Sequence, residues 1–176
     1  MRRTMALSMT TTCMLFLGVH TATLALGPTS EGMPRQGRKD ERMKKDQEDF
    51  QFLLSHHTEI TRDVTKRKNG VETITESKNP QVAEKIKEHV EAMHLRVKEG
   101  RGIHLRDPLF AAVFRNSSKI TMSVEKTEKG VKVIETSDDP FTAKLIQAHA
   151  EVVSLFVKNG HSEVRKNHAI PEQPRK

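Results

Sequence analysis

The strongest constraint on the fold of this chain is an internal duplication with a shift of sixty residues. Aligned without gaps, residues 59–100 and 119–160 are identical at 17 of 42 positions, well above chance. The run NPQVAEKIKEHVEAMHLRVKEG in the first copy matches DPFTAKLIQAHAEVVSLFVKNG in the second, with His89 and His149 in equivalent places. Two copies are too few for a solenoid, which stacks a longer series of repeats. The duplication therefore predicts one domain with internal pseudo-twofold symmetry.

Each copy predicts the same order of elements from its apolar spacing, turn residues and helix caps. The predicted elements are a short helix at 46–57, a hairpin at 59–78, a long helix at 79–100, and their counterparts at 107–114, 119–138 and 139–160. A lone hairpin is marginal, whereas four strands covered by helices on one face are sufficient for a core. We predict an internally duplicated α+β fold, (short helix, β-hairpin, long helix) twice. Its four-stranded antiparallel sheet is packed by two long helices, in one domain at 46–170 with repeats at 46–100 and 106–160.

Glycines mark the ends of these elements. Asn69-Gly70 follows one apolar strand and precedes another, so it predicts a hairpin turn with glycine at positive φ. Gly100 comes directly after the last periodic residue of the first long helix, as expected of a left-handed C-cap.

The two ends of the chain differ from the predicted domain in composition. Residues 1–27 resemble a secretory signal peptide, with Arg2-Arg3 before an apolar run that is too short to span a membrane. Residues 28–45 predict a disordered linker, and residues 171–176 a disordered tail. We therefore expect an exported protein, periplasmic or secreted, with no transmembrane span in its mature form.

The single cysteine, Cys13, lies within the predicted signal peptide. A mature chain without it has no thiol, which excludes disulfides, thiolate metal sites and a cysteine nucleophile. Whether Cys13 is lipidated stays open, as does the position of cleavage.

Several runs carry a resemblance to a known family. They are DPLFAAVF, KITM, EKGVKVIETSDDP and AKLIQAHAEVVSLFV in the second half, and GVETITESKNP with IKEHVEAM in the first. Over residues 46–170 the chain resembles a family of small exported bacterial proteins built from two related halves. The resemblance implies a periplasmic or secreted location and no particular activity.

Charge gives little sign of a nucleic-acid partner. The net charge is +7, of which Arg2 and Arg3 supply two, and acidic residues are mixed with basic ones through the middle of the chain. The tip of the first hairpin is basic at residues 66–68, but the equivalent residues 126–128 are not. We expect no nucleic-acid binding. Self-association stays open, because the edges of a sheet can pair with another chain.

The chemically suggestive feature is the duplicated histidine. His89 follows Val82 and Ile86 and precedes Met93 and Val97 on one stripe of its helix. The counterpart stripe consists of Thr142, Ile146, His149, Val153 and Val157. Both imidazoles should therefore point inwards, where a twofold axis between the helices would let them face each other.

Three interpretations of this pair remain open. The histidines serve packing alone, or they bind a b-type haem as two axial ligands, or they belong to a transition-metal site. A copper ion could be held by few imidazoles, but a zinc site needs further ligands. Those ligands would come from a carboxylate or from other histidines, namely His57, His94, His104 and His168.

Other polar residues predict less. Glu76 and Glu135 lie near strand ends and are expected to be solvated, as are His161 and His168 in the polar tail. No serine-hydrolase, zinc-protease or nucleotide-binding motif occurs in the sequence, so an enzyme is not expected. The sequence favours an exported small binding protein that holds haem or a transition metal through His89 and His149. The alternative is a structural or protein-interaction module of the cell envelope with no cofactor.

Overall fold

The computed structural model describes residues 35–173 of the 176-residue chain. The predicted signal peptide, residues 28–34 of the predicted linker and the last three residues lie outside this range. The helices are α1 (Arg35–Ser55), α2 (Pro80–Glu99), α3 (Pro108–Arg115), α4 (Pro140–Asn159) and α5 (His161–Val164). The strands are β1 (Ile60–Arg67), β2 (Gly70–Ser77), β3 (Thr121–Lys126) and β4 (Gly130–Thr136).

The four strands form one antiparallel sheet in the order β1-β2-β4-β3, so the two hairpins join through their second strands. Within the β2–β4 pair, Thr73 lies opposite Val133. These two residues are sixty positions apart and therefore equivalent in the two copies. The pseudo-twofold axis passes between them, which confirms the internally duplicated α+β fold.

Gly70 and Gly130 permit the close approach of β2 and β4. A Cβ at Gly70 would collide with the carbonyl oxygen of Glu135, and one at Gly130 with that of Thr75. The positive φ expected at Gly70 is wrong, because this residue begins strand β2 instead of occupying the turn. Gly100 does adopt the left-handed conformation, with φ 63°, and ends α2 as predicted.

Side chains that accept backbone hydrogen bonds fix where the long helices begin. The Asn79 side chain accepts from the backbone N–H of Gln81 at 3.0 Å. Asp139 accepts from the N–H of Thr142 at 2.8 Å and from its hydroxyl at 2.7 Å. Such caps satisfy donors that have no partner within the helix, so α2 and α4 start at equivalent positions.

Both long helices cover the same face of the sheet, and each reaches the hairpin of the other copy. In the core, Val82 and Ile86 of α2 pack with Val131 and Val133 of β4. Reciprocally, Ile146 and Ala150 of α4 pack with Val71 of β2. Because each helix buries its apolar face largely on the other copy, neither copy has a complete core of its own, and the two form one domain.

Helix α1 is longer than predicted. It begins at Arg35 and not at Asp46, so residues 35–45, predicted as linker, are helical. Polar contacts with α2 stabilise the end of this segment and the residue that follows it: Lys45 lies 2.9 Å from Glu88, and Asp46 forms a buried ion pair with Arg96. The sequence prediction relied on apolar residues at helical spacing, so it could not identify a helical segment that is stabilised by ionic contacts.

None of the described helices is both long and apolar enough to cross a membrane.

Candidate functional site

A cavity of about 570 Å³ lies between the long helices and the sheet. Its walls are mainly apolar and come from both copies, and they include Ile86, Val90, Met93, Val133, Val153 and Phe156. Val133 belongs to the central strand pair on the pseudo-twofold axis. The cavity therefore lies where the two halves meet, and its size and lining are typical of a small-molecule site.

His89 and His149 both line this cavity, as the helical period predicts for inward residues. Each is packed against a phenylalanine that is itself duplicated. Phe50 stacks on His89 with ring centroids 5.7 Å apart, and Phe110 meets His149 edge-on at 5.0 Å. The duplication thus places an equivalent Phe–His pair in each half of one cavity.

Both imidazoles favour the neutral form. Burial lowers the pKa of His89, and its Nδ1 atom is buried without a hydrogen-bond partner among residues 35–173. Burial and the nearby positive charge of Arg62 lower the pKa of His149 to about 4. A neutral imidazole offers a nitrogen lone pair to a metal ion or to a hydrogen-bond donor, so both residues have the charge state that ligand binding requires.

Arg62 brings a positive charge into the same cavity. It lies on β1, where its backbone pairs with Thr75 of β2. Its Nη1 atom donates a hydrogen bond to the Thr75 hydroxyl at 2.5 Å, whereas its Nε atom is buried and has no partner in the part of the chain that the structure describes. Burial lowers the pKa of Arg62 to about 10, which still leaves the guanidinium charged at neutral pH.

Glu135 is the other ionisable group of the cavity wall, and its predicted solvation is wrong. Glu135, Val131 and Val133 lie two residues apart along β4 and share one face of the strand, so the Glu135 side chain faces the helices. Burial raises the pKa of Glu135, although the charge of Arg62 opposes the shift. The two side chains lie beyond ion-pair distance of each other, so neither neutralises the other by direct contact.

A sequence signal for these two residues exists where the copies differ. The counterpart of Arg62 is Met122, and the counterpart of Glu135 is Thr75. Both changes fall on the inward face of a strand: Arg62 lies on the same face as Ile60 and Val64, and Glu135 on that of Val131 and Val133. Polar substitutions at inward positions of one copy, and not the other, could have identified Arg62 and Glu135.

The structure forms no multi-ligand metal site from the residues it describes. Between residues 35 and 173, no three His, Cys, Asp or Glu side chains are grouped so as to hold a metal ion. His104 and His57 line the cavity with the duplicated pair, but they do not complete such a group. The additional ligands that a zinc site requires are therefore not supplied here.

His168 is not solvated, contrary to expectation. Its Nδ1 atom lies 2.6 Å from a carboxylate oxygen of Asp107, and its Nε2 atom lies 3.1 Å from Glu163. Burial opposes the charged form, but the two carboxylates prevail and raise the pKa of His168. Asp107 is fully buried and also caps α3 through the N–H of Leu109. This cluster fastens the C-terminal segment to the domain.

No protein-family model matches the chain, and no curated protein or solved structure is significantly similar to it.

Proposed function

We propose that this protein binds a small ligand with a large apolar body in the cavity between its two halves. The observation that carries the proposal is that His89 and His149, the duplicated residues, line one mainly apolar cavity of about 570 Å³. A domain that needed only a packed core would fill such a space, because cavities weaken a core.

The ligand that we propose first is a b-type haem with His89 and His149 as its axial ligands. Two neutral imidazoles from different helices suit that chemistry, and the apolar wall suits the body of a porphyrin. A copper ion held by the two imidazoles is the metal alternative. It makes less use of the apolar volume, and no third ligand accompanies the pair among the described residues.

We also propose that the protein acts outside the cytoplasm, in the periplasm or as a secreted protein. Support comes from residues 1–27, which combine a basic start, an apolar run and small residues near the end.

The competing function is a structural or protein-interaction module of the cell envelope without a cofactor. In that case the two Phe–His contacts would serve packing alone. The apolar cavity and its unpartnered polar atoms would then have no role, which is why we rank this function second.

Titration of the purified protein with hemin, followed by its absorbance spectrum, tests the haem proposal. We expect a Soret band at one hemin per chain, and its loss or shift in His89→Ala and in His149→Ala. His94→Ala is the matched control, because His94 lies on the same helix as His89 but does not line the cavity. Metal analysis of the same preparations tests for copper. A protein that binds neither hemin nor copper, or whose hemin spectrum both cavity variants leave unchanged, would contradict ligation by this pair.

A further inference from the structure

We infer that the ligand of this cavity carries a carboxylate and that Arg62 binds it. The inference rests on the proposed function, and it deepens that function by naming the chemical class of the ligand, an apolar body with a carboxylate.

The guanidinium of Arg62 is a buried positive charge, which is expected to have a counter-ion. Its Nε atom is shielded from solvent and has no partner in the described part of the chain, and it is the Nη1 atom that donates a hydrogen bond to the Thr75 hydroxyl. Buried charges are normally paired, because removal from water costs several kcal/mol per ion without compensation. The side chain lines the cavity, so an occupant of the cavity can offer an acceptor and a counter-ion to the guanidinium donors that border it.

No carboxylate between residues 35 and 173 forms a direct ion pair with Arg62. Glu135 is the carboxylate that influences Arg62 electrostatically, and it lies beyond ion-pair distance. The guanidinium therefore keeps donors free for a planar acceptor, and a carboxylate is an acceptor that a guanidinium can bind through two parallel hydrogen bonds.

The fold does not require a charge at this position. The second copy has Met122 at the equivalent site of the same sheet, where it also lines the cavity. An apolar side chain is thus compatible with the strand, the register and the helices above it. The difference between Arg62 and Met122 makes the cavity chemically asymmetric, as expected for a ligand with one polar end.

A single buried cation can neutralise one carboxylate group, whereas a phosphate monoester places two negative charges on one group and would leave one of them unpaired in an apolar space. Two kinds of ligand share this chemistry: a porphyrin, which would present one of its two propionates to Arg62, and a fatty acid. Both have an apolar body and a carboxylate, and they differ in whether they need the two imidazoles.

The experiment compares each acid with a neutral analogue by calorimetric titration of the full domain. The pairs are hemin with its dimethyl ester, and dodecanoate with dodecanol. We expect the wild-type protein to prefer at least one acid over its analogue. Arg62→Met should weaken binding of that acid about tenfold or more, the effect of losing a charged hydrogen bond, and leave its neutral analogue within about twofold. Met122→Leu is the control for a change in cavity shape, and it should affect acid and analogue equally.

Thermal unfolding of each variant verifies that it folds, and Arg62→Gln replaces Arg62→Met if the latter does not. Equal binding of acids and analogues by the wild type would overturn the inference and leave the cavity proposal standing. The same holds if Arg62→Met weakens an acid and its analogue alike. A wild-type protein that binds none of the four probes would overturn the proposed function, and the inference with it. An acid preference confined to hemin identifies the porphyrin source, and one shown by dodecanoate identifies the fatty acid.

Discussion

Replacing His149 by leucine is expected to make the stability of the domain less sensitive to acid. Burial, with the charge of Arg62, lowers the pKa of His149 from its ordinary 6.5 to about 4. The unfolded chain therefore takes up a proton between these values that the folded chain does not, so the free energy of unfolding falls as the pH drops below about 6.5. Since one pKa unit corresponds to about 1.4 kcal/mol, the full loss is about 3 kcal/mol, of which about 2 kcal/mol is present at pH 5.

The assay is urea unfolding followed by far-ultraviolet circular dichroism at about pH 7.5 and about pH 5. Between these conditions, wild type should lose about 2 kcal/mol more stability than His149→Leu. Other titrating groups, including His89, are common to both proteins and cancel in the comparison. Met93→Leu, another change in the cavity wall, should keep the acid sensitivity of wild type. Equal losses in wild type and His149→Leu would refute the reasoning that His149 is held neutral.

Three further predictions follow from buried groups and close contacts. Burial raises the pKa of Glu135 above its ordinary value of 4.5. Ionisation of Glu135 therefore destabilises the fold as the pH rises above 4.5, and Glu135→Gln should raise the melting temperature at pH 7 more than at pH 4. The carboxylates around His168 raise its pKa, so protonated His168 stabilises fully below about pH 6.5 and less as the pH rises through the folded pKa. In urea unfolding, His168→Asn should cost about 2 kcal/mol at pH 6 and less at pH 9. Gly70→Ala would drive a Cβ into the Glu135 carbonyl, and should lower the unfolding free energy by about 2 kcal/mol, whereas no loss would contradict the close approach of β2 and β4.

Much of the fold could be predicted from local signals. Turn residues and caps such as Asn79 and Asp139 act over a few positions, and the duplication required both copies to agree. The start of α1 could not be predicted, because residues 35–45 lack an apolar stripe and their helix is stabilised by charges on α2. Lys45, for example, has its partner at Glu88, 43 residues away.

The candidate site was only half predictable. A helical period places His89 and His149 on the inner face without knowledge of the tertiary structure. The environments of Arg62, Glu135 and His168 depend on neighbours distant in the sequence, as in the contact of His168 with Asp107. From the sequence alone, such ionisable residues are expected to be solvated, and only the packing of the elements shows that they are buried.

The most direct test of the central claim, that the space between the two halves holds the ligand, is a hemin titration of a cavity-filling variant. Val153 of α4 lines the cavity, and Val153→Phe adds an aromatic ring there without altering either histidine. We predict that wild type binds one hemin per chain, and that Val153→Phe, still folded by circular dichroism, binds it at least about tenfold more weakly. The same affinity and the same Soret spectrum in both proteins would contradict the claim.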